Sequence, residues 1–227
     1  MNRPSPESRR AWWLALSGAV TMFLVQPPLD LWLLAWVAPL PWLLLLRQGM
    51  GNIARPWALL WCAGFLHWLL SIHWLRLPHP ATSIGWVALS AYLAIYTPLF
   101  FWTTQRLMGR WRWPLVAAAP LCWMGLEHAR GSILGGFTLG ALGHTQWRFT
   151  TLIQCADCFG AEGVGGVVML VAAALATLLA GYGAGQPSCS SPSPTGGTAA
   201  RSRPREQSGE AVARGVLRAT ASPLCSR

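Results

Sequence analysis

Lysine is absent from this chain of 227 residues: all 17 basic residues are arginine. Any mechanism that needs an ε-amine is therefore closed to these residues, and so is the Gly-Lys-Ser or Gly-Lys-Thr ending of a phosphate-binding loop. Acidic residues are almost as scarce. There are 7 in all, and between Asp30 and Asp157 the only one is Glu127. Charged residues make up 11% of the chain and hydrophobic ones 53%, with a mean hydropathy of +0.39. Those values exclude an ordinary soluble domain and predict an all-α polytopic membrane protein. The 6 cysteines lack the spacing of a disulfide framework, and two of them, Cys62 and Cys122, lie within apolar runs. The formal charge of +10 does not indicate nucleic acid, because the arginines flank apolar segments or lie in the tail.

About six stretches can span a hydrocarbon core as helices. They cover residues 11–25, 31–46 (kinked by Pro39 and Pro41), 57–75, 85–107 (with Pro98 inside), 114–130 and 164–182. Tryptophan is abundant, at 15 residues, all at or before Trp147 and many near the ends of these runs, where indole favours the headgroup region. Arg9 and Arg10 precede the first apolar stretch, but no small-residue cleavage site follows, so a retained helix is expected rather than a signal peptide. Residues 131–163 are rich in glycine and too polar for a clean span. They predict a loop with short re-entrant or interfacial pieces. Arginine placement predicts that both ends of the bundle face the cytoplasm: Arg3, Arg9, Arg10, Arg47, Arg55, Arg106, Arg110, Arg112 and the tail arginines fall on one side, and only Arg76, Arg130 and Arg148 on the other.

Three regions follow: a cytoplasmic N-terminus at 1–10, a helical bundle at 11–184, and a tail at 185–227 without any aromatic residue. Such a tail cannot bury enough surface to fold. It reads either as a natural disordered tail or as an out-of-frame end, since GC-rich coding read in a wrong frame yields this composition.

Glu127 and Arg130 stand at i and i+3, close enough on a helix for an ion pair that would fix the helix end and the loop behind it. Contact with a lipid headgroup is the functional alternative. Gln154 and Asp157 would either line a polar pocket or cap a helix. Cys155-Ala-Asp-Cys158 has the spacing of a redox or metal motif. Without a second Cys or His pair nearby, coincidence is the stronger reading, and no metal is expected. His67, His73 and His79, six residues apart, fall on different helix faces or beyond the helix and are expected to be interfacial. No nucleophile, base and oxyanion stabiliser come together in the sequence, and no catalytic residue or cofactor is assigned.

The block from Trp123 through Glu127, Arg130 and Gly131 to Gly136-Phe137 is followed by Gly143-His-Thr-Gln146 and by Ile153-Gln154-Cys-Ala-Asp157-Cys-Phe-Gly160. Together with Pro28-Leu-Asp30, the segment 64–74 and Ala91-Tyr92-Leu-Ala-Ile-Tyr96-Thr-Pro-Leu-Phe100, in the same order, it resembles the membrane portion of bacterial apolipoprotein N-acyltransferase over residues 11–184. Thr138-Leu139 and Gly163-Val-Gly165-Gly166 depart from the family's usual Pro-Trp and Gly-Val-Ser-Phe. The resemblance implies an eight-helix bundle in the bacterial inner membrane with a nitrilase-like domain inserted before the last helix. It also implies a Glu-Lys-Cys triad that moves an acyl chain from phospholipid to the diacylglyceryl cysteine of a lipoprotein. A lysine-free chain does not carry that triad, so these residues are expected to be inactive alone, as a truncated or frame-shifted acyltransferase. The alternative is a stand-alone membrane scaffold or lipid-binding protein. Glu127, Arg130, Gln146, Gln154 and Asp157 are candidates for a lipid or lipoprotein groove. If the last helices are missing, the small-residue face of 163–176 is expected to lack neighbours.

Overall fold

Proline marks most of the helix boundaries. The computed structural model describes residues 6–51, 53, 55–133 and 136–184, the last three by backbone only, so the expected tail and the first residues of the N-terminus lie outside the described residues. Every regular element among them is helical. Helix α1 is Pro6–Leu24. After Pro27-Pro28 the chain makes a 3-10 turn, Trp32–Trp36, and enters α2, Leu40–Gln48, with Pro39 as its N-cap. The expected kink in this stretch is thus a complete break. Helix α3, Pro56–Ser71, opens on a proline whose missing N–H would have had no partner in the first turn. A short 3-10 turn, His73–Arg76, follows it.

The fourth apolar stretch is two helices, α4 (Thr82–Leu93) and α5 (Tyr96–Arg110), joined by a turn at Ala94 and Ile95. Pro98 has no N–H to give to the carbonyl of Ala94 four residues earlier, so the ladder fails there. Helix α6, Leu115–Ser132, runs through Pro120 without a break. Next come a 3-10 turn, Leu142–Gln146, a single helical turn, α7 (Thr150–Ile153), and the long α8, Ala156–Ala184, kinked at Gly160 (φ 69°, ψ −178°). The short pieces expected between residues 131 and 163 are therefore present, although the last long helix begins earlier than the apolar run suggests.

Thr82–Arg110, taken across its turn, and Ala156–Gly181 are long and apolar enough to cross a membrane, while Trp32–Gln48 and Pro56–Ser71 are shorter apolar helical stretches. The helices close on one another through small residues. The Trp42 ring lies in the slot above Gly18, where a Cβ would collide with it, and its indole N–H donates to the Ala15 carbonyl at 3.0 Å. Gly64 of α3 lies against the Ala94 carbonyl and Thr97, and Gly166 of α8 against Met124. Helix α8 packs on α6, α2 and the Leu142–Gln146 turn, burying Val164, Val168, Met169, Ala172, Ala173 and Ala176. The face expected to lack neighbours is covered, because α6 and α2 already fill it.

Two further expectations change in the same way. His67 is buried at 4% exposure between the rings of Trp42 and Trp68, so it is a core residue and not an interfacial one. Trp42 and Trp68 are core residues too, whereas Trp12, Trp13, Trp57, Trp74, Trp102, Trp111, Trp113 and Trp147 are exposed, with Trp12, Trp13 and Trp102 inside helices and the others at or beyond helix ends.

Candidate functional site

Residues 136–149 form a loop that reaches back into the bundle, and its polar anchors come from α6, from the end of α1 and from the segment that follows α1. Gly136, at φ 74°, turns the chain after α6, and the Phe137 N–H donates to the Arg130 carbonyl at 3.0 Å. The Phe137 ring then meets Trp68 edge-on at 5.8 Å. Gln26 Nε2, from the end of α1, donates to the Gly140 carbonyl at 3.2 Å. One turn later the Leu142 N–H donates to Glu127 Oε1 at 2.8 Å, and Gln146 Nε2 donates to the Trp32 carbonyl at 3.0 Å. At the rim the Asp30 carboxylate accepts from Arg148 at 3.0 Å and from the Trp147 indole at 3.2 Å. A backbone buried within a helical bundle needs such partners, since apolar surroundings supply none.

Glu127 and Arg130 are buried, at 6% and 5% exposure. Their closest charged atoms, Glu127 Oε1 and Arg130 Nη2, are 3.9 Å apart, so the expected i,i+3 pair is present but loose, and the stronger bond of the carboxylate is to Leu142. The Arg130 guanidinium instead covers the Trp68 ring, with Cζ 4.8 Å from its centre. Gly165 makes room for the carboxylate on the α8 side: a Cβ there would stand 2.9 Å from Glu127 Oε2 and 3.1 Å from the Gly143 nitrogen. Gly143 in turn lies against the Ala161 carbonyl.

Beside this pair is a cavity of about 30 Å³, bordered by His67, Trp68, Tyr96, Trp123, Glu127 and Arg130. Glu127 Oε2, Arg130 Nε and Trp123 Nε1 are buried, and none of them makes a well-formed hydrogen bond among the described residues, although the Trp123 indole is near enough to interact with the Glu127 carboxylate. The space admits a group of about the size of one water, and the three atoms suit one that both donates and accepts. A larger hollow of about 450 Å³ opens at the Gly140 end between Gln26, Pro28, Trp68, His73, Trp74 and Leu139.

Of the five residues picked from the sequence, the structure brings Glu127, Arg130 and Gln146 to one loop. Gln146 is fully buried, and its Oε1 has no partner among the described residues. Gln154 and Asp157 stand apart, both exposed at the turn between α7 and α8, where the Asp157 N–H closes on the Gln154 carbonyl at 3.2 Å. Among the described residues no three His, Cys, Asp or Glu side chains gather as a metal site. Sequence reasoning missed Trp68, Tyr96 and the Asp30 cluster at this site. Asp30 did carry a signal, as the one acid near the end of the first helix, far from any other.

The fold and this anchored loop define a helical bundle of membrane type, built on small-residue contacts and holding a buried Glu-Arg pair. The chain belongs to the apolipoprotein N-acyltransferase N-terminal domain family, whose pattern matches residues 17–174. Its relatives include apolipoprotein N-acyltransferase of Rhodopirellula baltica, 34% identical over 177 residues, which cover 72% of this chain and 30% of the relative. That of Geobacter metallireducens is 30% identical over 189 residues, 79% of this chain and 35% of the relative. That of Vibrio cholerae is 32% identical over 143 residues, 58% of this chain and 27% of the relative. The chain thus matches about a third of the length of these proteins or less.

Proposed function

We propose that this chain is the membrane portion of an apolipoprotein N-acyltransferase, with residues 11–184 forming six passes through a bacterial inner membrane and both ends of the bundle cytoplasmic. The observation that carries the reading is the family match over residues 17–174. The direction of the passes is supported by the fold. Glu7 and Ala11 share one hollow with Gln48, Gly49 and Ile53, and Gln26 and Pro28 share another with His73, Trp74 and Gly140. The first end has Arg9, Arg10, Arg47 and Arg55 close by in the chain, the second Arg76, Arg130 and Arg148, the last of them paired with Asp30.

In this role the bundle carries no reacting group. Glu127, Arg130 and Gln146 hold the re-entrant loop in place, and the exposed Gln154 and Asp157 offer polar contacts to a phospholipid headgroup or to a diacylated lipoprotein at the outer surface. Acyl transfer requires a nucleophile, a base and an oxyanion donor in mutual reach. With no lysine in the sequence, a Glu-Lys-Cys set cannot be assembled from these residues, and by themselves they do not catalyse the transfer.

Two measurements test this. The purified chain, given phospholipid and a diacylated lipopeptide, is expected to leave the lipopeptide amine free, and an N-acylated product would overturn the inactivity. Residues 11–184 grafted in place of the matching segment of the Rhodopirellula baltica relative are expected to support acylation. A folded, membrane-inserted graft without activity would favour a scaffold or lipid-binding role.

A further inference from the structure

Cys155 and Cys158 are both exposed free thiols, as is Cys62 on α3, whereas Cys122 is half-buried within α6; only Cys155 and Cys158 are near each other in the chain. They occupy the turn that separates α7 from α8. The Cys155 carbonyl accepts from the Cys158 N–H and from the Phe159 N–H, both at 3.2 Å. A closed turn of this kind brings its first and fourth Cα atoms to within about 7 Å, and a disulfide is compatible with Cα separations of about 4.4–6.8 Å. Cβ atoms three apart on a helix stand about 5–6 Å from each other, against about 3.8 Å in a disulfide. Pairing therefore needs the turn to tighten by an ångström or two.

The surroundings allow that movement. Cys155 lies in the turn outside α8, and on the other side Gly160 breaks the helix with φ 69° and ψ −178°. Residues 156–159 are a short piece between two breaks, with Asp157, Cys158 and Phe159 exposed, so tightening the turn does not require unwinding the buried part of α8, which starts at Gly163. No third ligand accompanies the two thiols, since no His, Cys, Asp or Glu trio gathers among the described residues, and a metal is not favoured.

We propose that Cys155 and Cys158 form a reversible dithiol-disulfide pair, a redox site at the α7–α8 turn whose reaction partner is a disulfide-bearing protein or small molecule. One cysteine thiolate attacks a sulfur of the partner's disulfide, breaking that S–S bond and releasing one partner thiolate. The other cysteine attacks the mixed disulfide and releases the second. The pair is oxidised by two electrons, the partner's disulfide is reduced to two thiols, and the two protons pass from this chain to the partner. Closing the bridge fixes the exposed segment that carries Gln154 and Asp157. Only the choice of oxidising compartment rests on the proposed orientation, in which this turn faces outward.

The full chain, purified in detergent and incubated with oxidised glutathione, would be quenched with acid, alkylated with N-ethylmaleimide and mapped by mass spectrometry. The expected result is a peptide with Cys155 joined to Cys158, two hydrogens lighter and free of maleimide, which regains both labels after dithiothreitol. In Cys155→Ser the remaining Cys158 is expected to stop at the mixed disulfide with glutathione. Stable glutathione adducts mapped to both Cys155 and Cys158 of the unaltered chain, or complete maleimide labelling of both, would overturn the proposal; adducts on the other four cysteines do not bear on it. A membrane-impermeant maleimide applied to intact, reductant-treated cells tests the orientation separately: labelling of Cys155 and Cys158, located by mass spectrometry, only after lysis refutes the outward placement while leaving the purified-chain result to decide the pair.

Discussion

Glu127 Oε1 and the backbone N–H of Leu142 meet at 2.8 Å, joining the last turns of α6 to the start of a buried 3-10 turn 15 residues later. The bond is buried, and the Arg130 guanidinium 3.9 Å away is the nearest positive charge to the carboxylate. Several expected behaviours follow from that geometry.

Replacing Glu127 by alanine leaves the Leu142 N–H and the buried Arg130 charge uncompensated together. Removing one member of a buried pair costs about 3–5 kcal/mol, and most of that loss is expected here as a lowered unfolding midpoint in detergent. Glu127→Gln keeps an acceptor for Leu142 and is expected to cost less, about 1–3 kcal/mol. Equal midpoints for the two variants would show that the carboxylate does not hold the loop.

Two glycines of α8 should respond oppositely to alanine. At Gly165 a Cβ stands 2.9 Å from Glu127 Oε2 and 3.1 Å from the Gly143 nitrogen, so Gly165→Ala must push the loop away and is expected to destabilise the bundle. At Gly181 nothing lies within 4 Å, and alanine there is expected to be neutral or to stabilise the helix by up to about 1 kcal/mol. Thermal unfolding of the two variants side by side checks the contrast.

Asp30 separates an ion pair from a backbone constraint. Its φ is 48°, a conformation that aspartate and asparagine tolerate and β-branched residues do not. The Arg148 side chain is 50% exposed, so losing the charge in Asp30→Asn is expected to cost at most about 1 kcal/mol. Asp30→Val removes the same charge and adds backbone strain of about 1–3 kcal/mol. Indistinguishable stabilities would mean that the positive φ does not matter.

Orientation can be read with fused reporters. A phosphatase that works only outside the cytoplasm is expected to be inactive when placed after Arg112 and active after Arg148. The opposite pattern would invert the bundle, and equal activity at both positions would remove a pass between them.

Much of this architecture was legible where composition and backbone chemistry agree. Pro56 and Pro114 mark helix starts, whereas the stretch 85–107 was expected as one span and the break ahead of Pro98 was not anticipated, although the missing N–H accounts for it. The start of α8 was missed because residues 156–163 are not continuously apolar, and helix there depends on Gly160 permitting a kink. At the site, the proximity of Glu127 and Arg130 was readable from helical spacing. Leu142 was not, since a backbone N–H leaves no trace in residue identity. The burial of His67 and Trp68 likewise depends on Gly140, Trp42 and Phe137, which only tertiary folding brings near.

At the seam between loop and last helix, Gly143 and Gly165 face each other with no side chain on either side. A contact made from the smallest residue has no room for incremental improvement, because every alternative adds atoms to a space that is already full. The distance between the carboxylate and its backbone partner is consequently set by two main chains touching. Any added atom can only widen the seam, so a relative with serine where Gly165 stands, as in the Gly-Val-Ser-Phe pattern, is expected to hold this loop farther from its last helix than this chain does.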